Sequence, residues 1–217
     1  LALDWLDLVI PPACVGDFLS RLWLRAMLPL GFVAIGVALS VLHSIASRDG
    51  VRHGLLRGLP IALFAAFAFV PDVSRAIFAS FDCELFERDA ASFDAFLRSD
   101  YSVRCKGTLY KQIEGSAMAL IFVWPVGVIV SFALLLYACR HHLRHHRPSP
   151  LSRAISFLTH EYREDFFYWE LVELARRLML TGFMLLNSAP GIVWRLVTAC
   201  LLCTLHLICL LSLRPYK

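Results

Sequence analysis

The chain has 217 residues, 59% of them hydrophobic and 18% charged, with a mean hydropathy of +0.66. A soluble domain is nearer half apolar and a quarter charged, so this composition excludes an ordinary water-soluble globule and fits an exterior covered by lipid. The net charge of +4 lies on no basic face interleaved with aromatics, which argues against a nucleic-acid partner.

The chain opens at Leu1 without an initiator Met or signal-peptide pattern, and stops at Arg214-Pro215-Tyr216-Lys217 straight after an apolar run. It reads as one transmembrane domain, residues 1–217, cut from a longer protein. Residues 1–20 are apolar but broken by Asp4, Asp7, Asp17 and Pro11-Pro12. They suit an interfacial segment with Trp5 as its anchor better than a span. The first predicted span covers 22–46, with Pro29 near its start. Gly31 and Gly36 give it a small-residue face for close helix approach. The second covers 55–79 and carries Pro60 and Pro71-Asp72, which predict kinks.

Residues 81–112 form a long polar loop holding Cys83 and Cys105. Two cysteines in a loop on the oxidising side suggest a disulfide; on the cytosolic side they would be free thiols. The third span covers 113–139, with a mid-helix kink at Trp124-Pro125. A basic loop follows, with Arg140, His141, His142, Arg144, His145, His146 and Arg147. Its i, i+4 histidine pairs have metal-binding spacing, but no Cys or acid completes a site, so the loop reads as a patch for anionic lipid headgroups. The fourth span covers 166–188, the turn Asn187–Gly191 follows, and the fifth covers 192–213. Cys200, Cys203 and Cys209 in the last span read as packing residues. His206 on the same helix reads as a hydrogen-bond partner for a neighbouring helix.

The fold class is therefore all-α: a polytopic bundle with five spans and one long disulfide-bearing extracellular loop. The acid-free, Arg-rich run at 140–153 and the Arg-bearing loop at 47–57 fall on one side of five spans. The positive-inside rule places that side in the cytosol, with the N-terminus outside and Lys217 inside.

One stretch departs from ordinary spans. Glu170, Glu173, Arg176 and Arg177 lie inside the fourth. About ten apolar residues follow Arg177, covering roughly 15 Å, half of a bilayer core. The charges must then sit within or just below the hydrocarbon, where an isolated charge costs about 2.5–3.5 kcal/mol. Glu173 precedes Arg176 and Arg177 by three and four residues, the favourable order for pairing. Glu170, Glu173 and Arg177 share a face. The cluster reads either as a lock between helices or as part of a pathway or gate. No nucleophile–base set, phosphate loop or metal triad is present as a motif, so neither an enzyme nor a bound cofactor or metal is expected.

The segments FDCELF, LRSDYSVRC, VWPVGVIVSFALLLYACR, FLTHEYREDFFYWELVELARRLMLTG and LRPYK together resemble the transient receptor potential-like multi-pass C-terminal domain of large surface proteins from algae, oomycetes and other protists. The most specific parts are Tyr168–Gly182 and Leu97–Cys105. Trp124-Pro125 stands where the pattern usually has Tyr-Pro. The resemblance implies a helix before Leu1, one or two after Lys217, and a cation-channel or sensory-receptor role in the plasma membrane. The alternative is a non-conducting anchor for an adhesive or signalling ectodomain. The partners implied are the bilayer, the remaining helices and ectodomain of the same chain, and, as an open question, further copies of itself in a homo-oligomer.

Overall fold

A computed structural model describes residues 16–48, 50–89, 92–144, 155, 162–163, 166–186 and 191–216, with 88–89, 92, 141–144, 183–186, 191–192 and 195 described by backbone alone. The interfacial reading of Trp5, most of the basic loop and the turn at 187–190 fall outside those residues. The described elements are α1 (Phe18–Ala46), α2 (Val51–Ala79), β1 (Cys83–Asp89), β2 (Ser92–Leu97), β3 (Asp100–Arg104), α3 (Thr108–Ile121), a π-helical turn (Phe122–Val126), α4 (Gly127–Arg144), α5 (Trp169–Leu186) and α6 (Gly191–Leu213). Among the described residues, four stretches are long and apolar enough to cross a membrane: Phe18–Ala46, Val51–Ala79, Thr108–Arg140 and Leu196–Leu213. The chain is thus a multi-pass membrane domain, and lipid accounts for outward-facing residues such as Phe32, Leu39, Phe64, Leu134 and Leu201. The stretch expected to span at 166–188 appears as α5, from Trp169 to Leu186, outside that set of four.

The α1–α2 hairpin turns in four residues. Arg48 and Gly50 both take left-handed backbone angles (φ 59° and 85°), which reverses the chain within that length. So short a turn forces the helices together, and the contact is made by Gly54 and Gly58, an unbroken small-xxx-small pair. A methyl at Gly54 would stand 2.7 Å from the Val41 Cα and 2.9 Å from the Ser40 carbonyl oxygen; one at Gly58 would stand 3.3 Å from the Val37 Cα. The approach expected through Gly31 and Gly36 is not made. Gly31 has nothing within 4 Å of its would-be Cβ, and Gly36 meets only the tip of Ile61 at 3.9 Å. Gly31 lies on an exposed face of α1, and Gly36 stands at the margin of the contact.

The expected kink in the third span is a π turn. Pro125 has no N–H to donate back along the helix, and a wider turn absorbs the missing bond. Trp124 leaves this turn fully buried, and its indole N–H donates to the Ala26 carbonyl of α1 at 3.1 Å. The main core gathers Leu22 and Ala26 of α1, Val70, Val73 and Ile77 of α2, and Ala117, Leu120, Trp124, Phe132, Leu136 and Cys139 along α3–α4. Leu174 and Leu178 complete it from α5.

The polar loop between α2 and α3 is not irregular, and the architecture is accordingly helical with one small sheet rather than all-α. It folds as an antiparallel three-stranded sheet in the order β1-β2-β3. Cys83 pairs with Leu97, Leu85 with Ala95 and Glu87 with Phe93. Cys83 and Cys105 are joined as a disulfide, with Cα atoms 6.4 Å apart. Leu97 and Val103 are buried against Ile113 of α3, with Phe18, Leu19 and Tyr110 around them. Arg21 of α1 forms an ion pair with Asp100 at the start of β3. The sheet therefore rests on the first turns of α1 and α3, at one end of the bundle.

Candidate functional site: the charged helix

The α5 helix starts after an aromatic-rich run and presents its polar groups in three directions. Glu170, in its first turn, accepts a hydrogen bond from the Tyr162 hydroxyl at 2.6 Å. Burial, and then the neighbouring Glu170 carboxylate, push the Tyr162 phenol far above its ordinary value, so it remains a donor. Tyr162 also bridges backbone-to-backbone with Tyr216, and the Arg163 amide donates to the Pro215 carbonyl at 2.8 Å. The entry to α5 is thereby tied to the exit of α6.

Glu173 is the centre of the site and is 7% exposed. Its Oε2 accepts from Arg176 Nη2 at 2.7 Å and Nε at 3.2 Å, the i, i+3 pair anticipated from spacing. Its Oε1 lies 2.7 Å from Nε2 of His206 on α6. Both carboxylate oxygens are thus engaged, one along its own helix and one across to the next. His206 is also stacked on Trp169, with ring centroids 5.9 Å apart. The histidine bonds to a neighbouring helix, as its isolation on an apolar helix suggested.

Arg177 goes elsewhere. Its guanidinium lies 5.7 Å from the Phe67 ring centroid, on α2, a cation–π arrangement. The expected single cluster is therefore divided: Glu173 and Arg176 meet, while Glu170 and Arg177 serve separate neighbours. Positions three and four residues after Glu173 both lie near its face, so spacing permits either arginine to pair with it; the carboxylate takes Arg176 and the Phe67 ring takes Arg177. One arginine turns to α6 and the other to α2.

Two contacts give the direction of α5. Arg177 meets Phe67, and five residues on, a methyl at Gly182 would stand 2.7 Å from the Phe78 ring. The contacts ascend together, so α5 runs parallel to α2 and reaches the sheet end with Gly182 lodged under Phe78. Glu173 precedes Gly182 by nine residues, about 13 Å along the axis.

Between α5 and α6 lies a cavity of about 340 Å³, walled by Val172, Met179, Leu202 and Leu205, with Arg176 and His206 on its wall. Trp169 also lines it, and its buried indole N–H has no hydrogen-bond partner among the described residues. Cys200 and Cys203 are exposed on the outer face of α6, and only Cys209 reaches the cavity, so the expected packing role is not met within the described chain for the first two. Of the basic loop, Arg140 is described: its guanidinium stacks over Tyr137 at 4.0 Å. The side chains of His141, His142, Arg144, His145, His146 and Arg147 are outside the described set.

No protein-family model matches the chain, and no curated protein or solved structure does so either.

Proposed function

We propose that this chain is the membrane domain of a transient receptor potential-like cation channel or sensory receptor, with α5 as a fifth span and the charged helix as its coupling element. The observation that carries the reading is the Glu173 carboxylate, buried about 13 Å below the sheet end of the bundle and bonded across helices to His206. Intramembrane ionisable groups are costly and mark working parts of membrane proteins. The α5 helix has 18 residues, runs parallel to an apolar span and ends level with it, which supports a spanning role. The disulfide-closed sheet supports an extracellular position for that end, and the arginines at 140–153 and 47–57 support a cytosolic position for the other, in the plasma membrane.

The test is reconstitution of the full-length protein in liposomes, with ion flux recorded under tension, voltage and ligand. The expected result is a cation conductance whose activation shifts in Glu173→Gln. A silent but folded protein under all three conditions would instead make the domain a non-conducting anchor.

A further inference from the structure

The β1–β2 hairpin extends beyond the helices that support it, and its two faces differ. Directly paired residues in an antiparallel sheet share a face. Cys83 and Leu97, Leu85 and Ala95, and Glu87 and Phe93 therefore all point the same way. Leu97 has no exposure, because this face rests on the ends of α1 and α3. Further along the same face Leu85 is 68% exposed and Phe93 56% exposed. They point toward the side on which the bundle lies but have no helix beneath them. The opposite face holds its aromatics in a cluster of its own: Phe86 is edge-on to Phe96 and to Tyr101, and Tyr101 donates to Glu84 at 2.9 Å.

What lies under Leu85 and Phe93 follows from what surrounds the bundle. The apolar flanks of α1 and α3 are clothed by lipid, and Trp23 and Leu109, both partly exposed, lie within the first turns of those helices, at the height where the interfacial belt falls. A sheet seated on these first turns that overhangs the bundle extends over the surrounding leaflet. We infer that the β1–β2 hairpin rests on the bilayer surface, with Leu85 and Phe93 inserted at the headgroup–acyl boundary beside the bundle. The occupant of the face is the lipid leaflet itself, continuous with the surface that covers the spans. Glu87, directly paired with Phe93, shares this face, and its carboxylate meets the cationic part of choline or amine headgroups.

The experiment uses the full chain in nanodiscs of phosphatidylcholine carrying a headgroup-region spin label that quenches tryptophan. Leu85→Trp and Phe93→Trp report the face in question; Phe86→Trp and Tyr101→Trp report the opposite face of the same strands. Emission is read as the difference from the parent protein, and the Cys83–Cys105 linkage, scored by mass spectrometry without reductant, certifies the fold of each variant. Quenching at positions 85 and 93 at least about two-fold stronger than at 86 and 101 is expected for side chains at the interface. Equal quenching on both faces, or none on either, would overturn the inference. So would blue-shifted but unquenched emission at 85 and 93, which would show a protein, such as a second copy, covering the face.

Discussion

Between α1 and α2 the backbones meet, with Gly54 and Gly58 set against Val37, Ser40 and Val41. Between α5 and α6 lies a cavity of about 340 Å³, and Glu173 of one helix is bonded to His206 of the other. At its glycines the first pair is held by van der Waals contact between closely fitted backbones. The second is held by directional bonds at a few points, among groups that lipid will not solvate. Helix association in lipid has both routes available, because tails compete poorly with close packing and not at all for a buried carboxylate. A glycine seam is rigid, since it works at one separation only. A polar clasp around a cavity tolerates rearrangement, since the bond can shift partners while the helices stay apposed. If one part of this domain changes shape, the comparison points to α5–α6.

The largest effect is expected from breaking the seam. Gly54→Leu drives a branched side chain into the Val41 and Ser40 backbone, and backbone cannot rotate away as a side chain can. A loss of about 3 kcal/mol or more, with collapse of the folded yield in detergent, is the expected outcome, measured by titration with a denaturing detergent. Glu173→Gln comes next. It removes the charge opposite Arg176, at a cost of about 2–3 kcal/mol for a partly buried pair. Hydrogen exchange should rise in α5 and α6 while α1 and α2 stay protected; uniform exchange throughout would erase the distinction between the two pairs.

Ser44→Ala is expected to be neutral, or to stabilise by up to about 1 kcal/mol, because its buried hydroxyl has no partner among the described residues and the substitution removes an unmet polar group. A clear loss of stability would show the seam to be partly polar after all. The smallest effect concerns the clamp between α1 and the sheet. Burial pushes the Asp100 carboxyl up, but the Ser102 hydroxyl and amide and the Arg21 guanidinium outweigh it and hold it below 3.8. A depressed folded-state value adds stability above the unfolded value, and that stability is lost as pH falls below 3.8 through the depressed one. Acid melting curves should therefore show a step that Asp100→Asn flattens.

The apolar helices were legible because a bilayer imposes length and composition on every residue of a span, as the run from Leu22 to Ala46 shows. The disulfide and the Glu173–Arg176 pair were legible from residue type and spacing. Three features were not. The sheet lay in a segment whose alternation, as in Cys83–Asp89, is short and mixed with charge, so it resembled a polar loop. The seam runs through Gly54 and Gly58 rather than Gly31 and Gly36, and sequence shows which glycines exist but not where two helices converge; the four-residue turn is what sets that place. The separation of Arg177 from Glu173 depends on Phe67 of another helix, a contact no local spacing contains.

The π turn at Phe122–Val126 has an angular consequence. On an uninterrupted α-helix each residue advances about 100°. Buried Ile113, Ala117, Leu120 and Trp124 then fall at about 0°, 40°, −20° and 20°, one narrow stripe. Continuing the same winding, buried Phe132, Leu136 and Cys139 would fall at about 100°, 140° and 80°, a quarter-turn or more away. The one extra residue in the π turn subtracts about 100° and returns them to about 0°, 40° and −20°. The turn is a phase corrector: two hydrophobic stripes written out of register are aligned by it on one side of the helix. Closing it to α-helical winding would rotate α4 by more than a quarter-turn about its own axis, without moving either end of the helix far through the membrane.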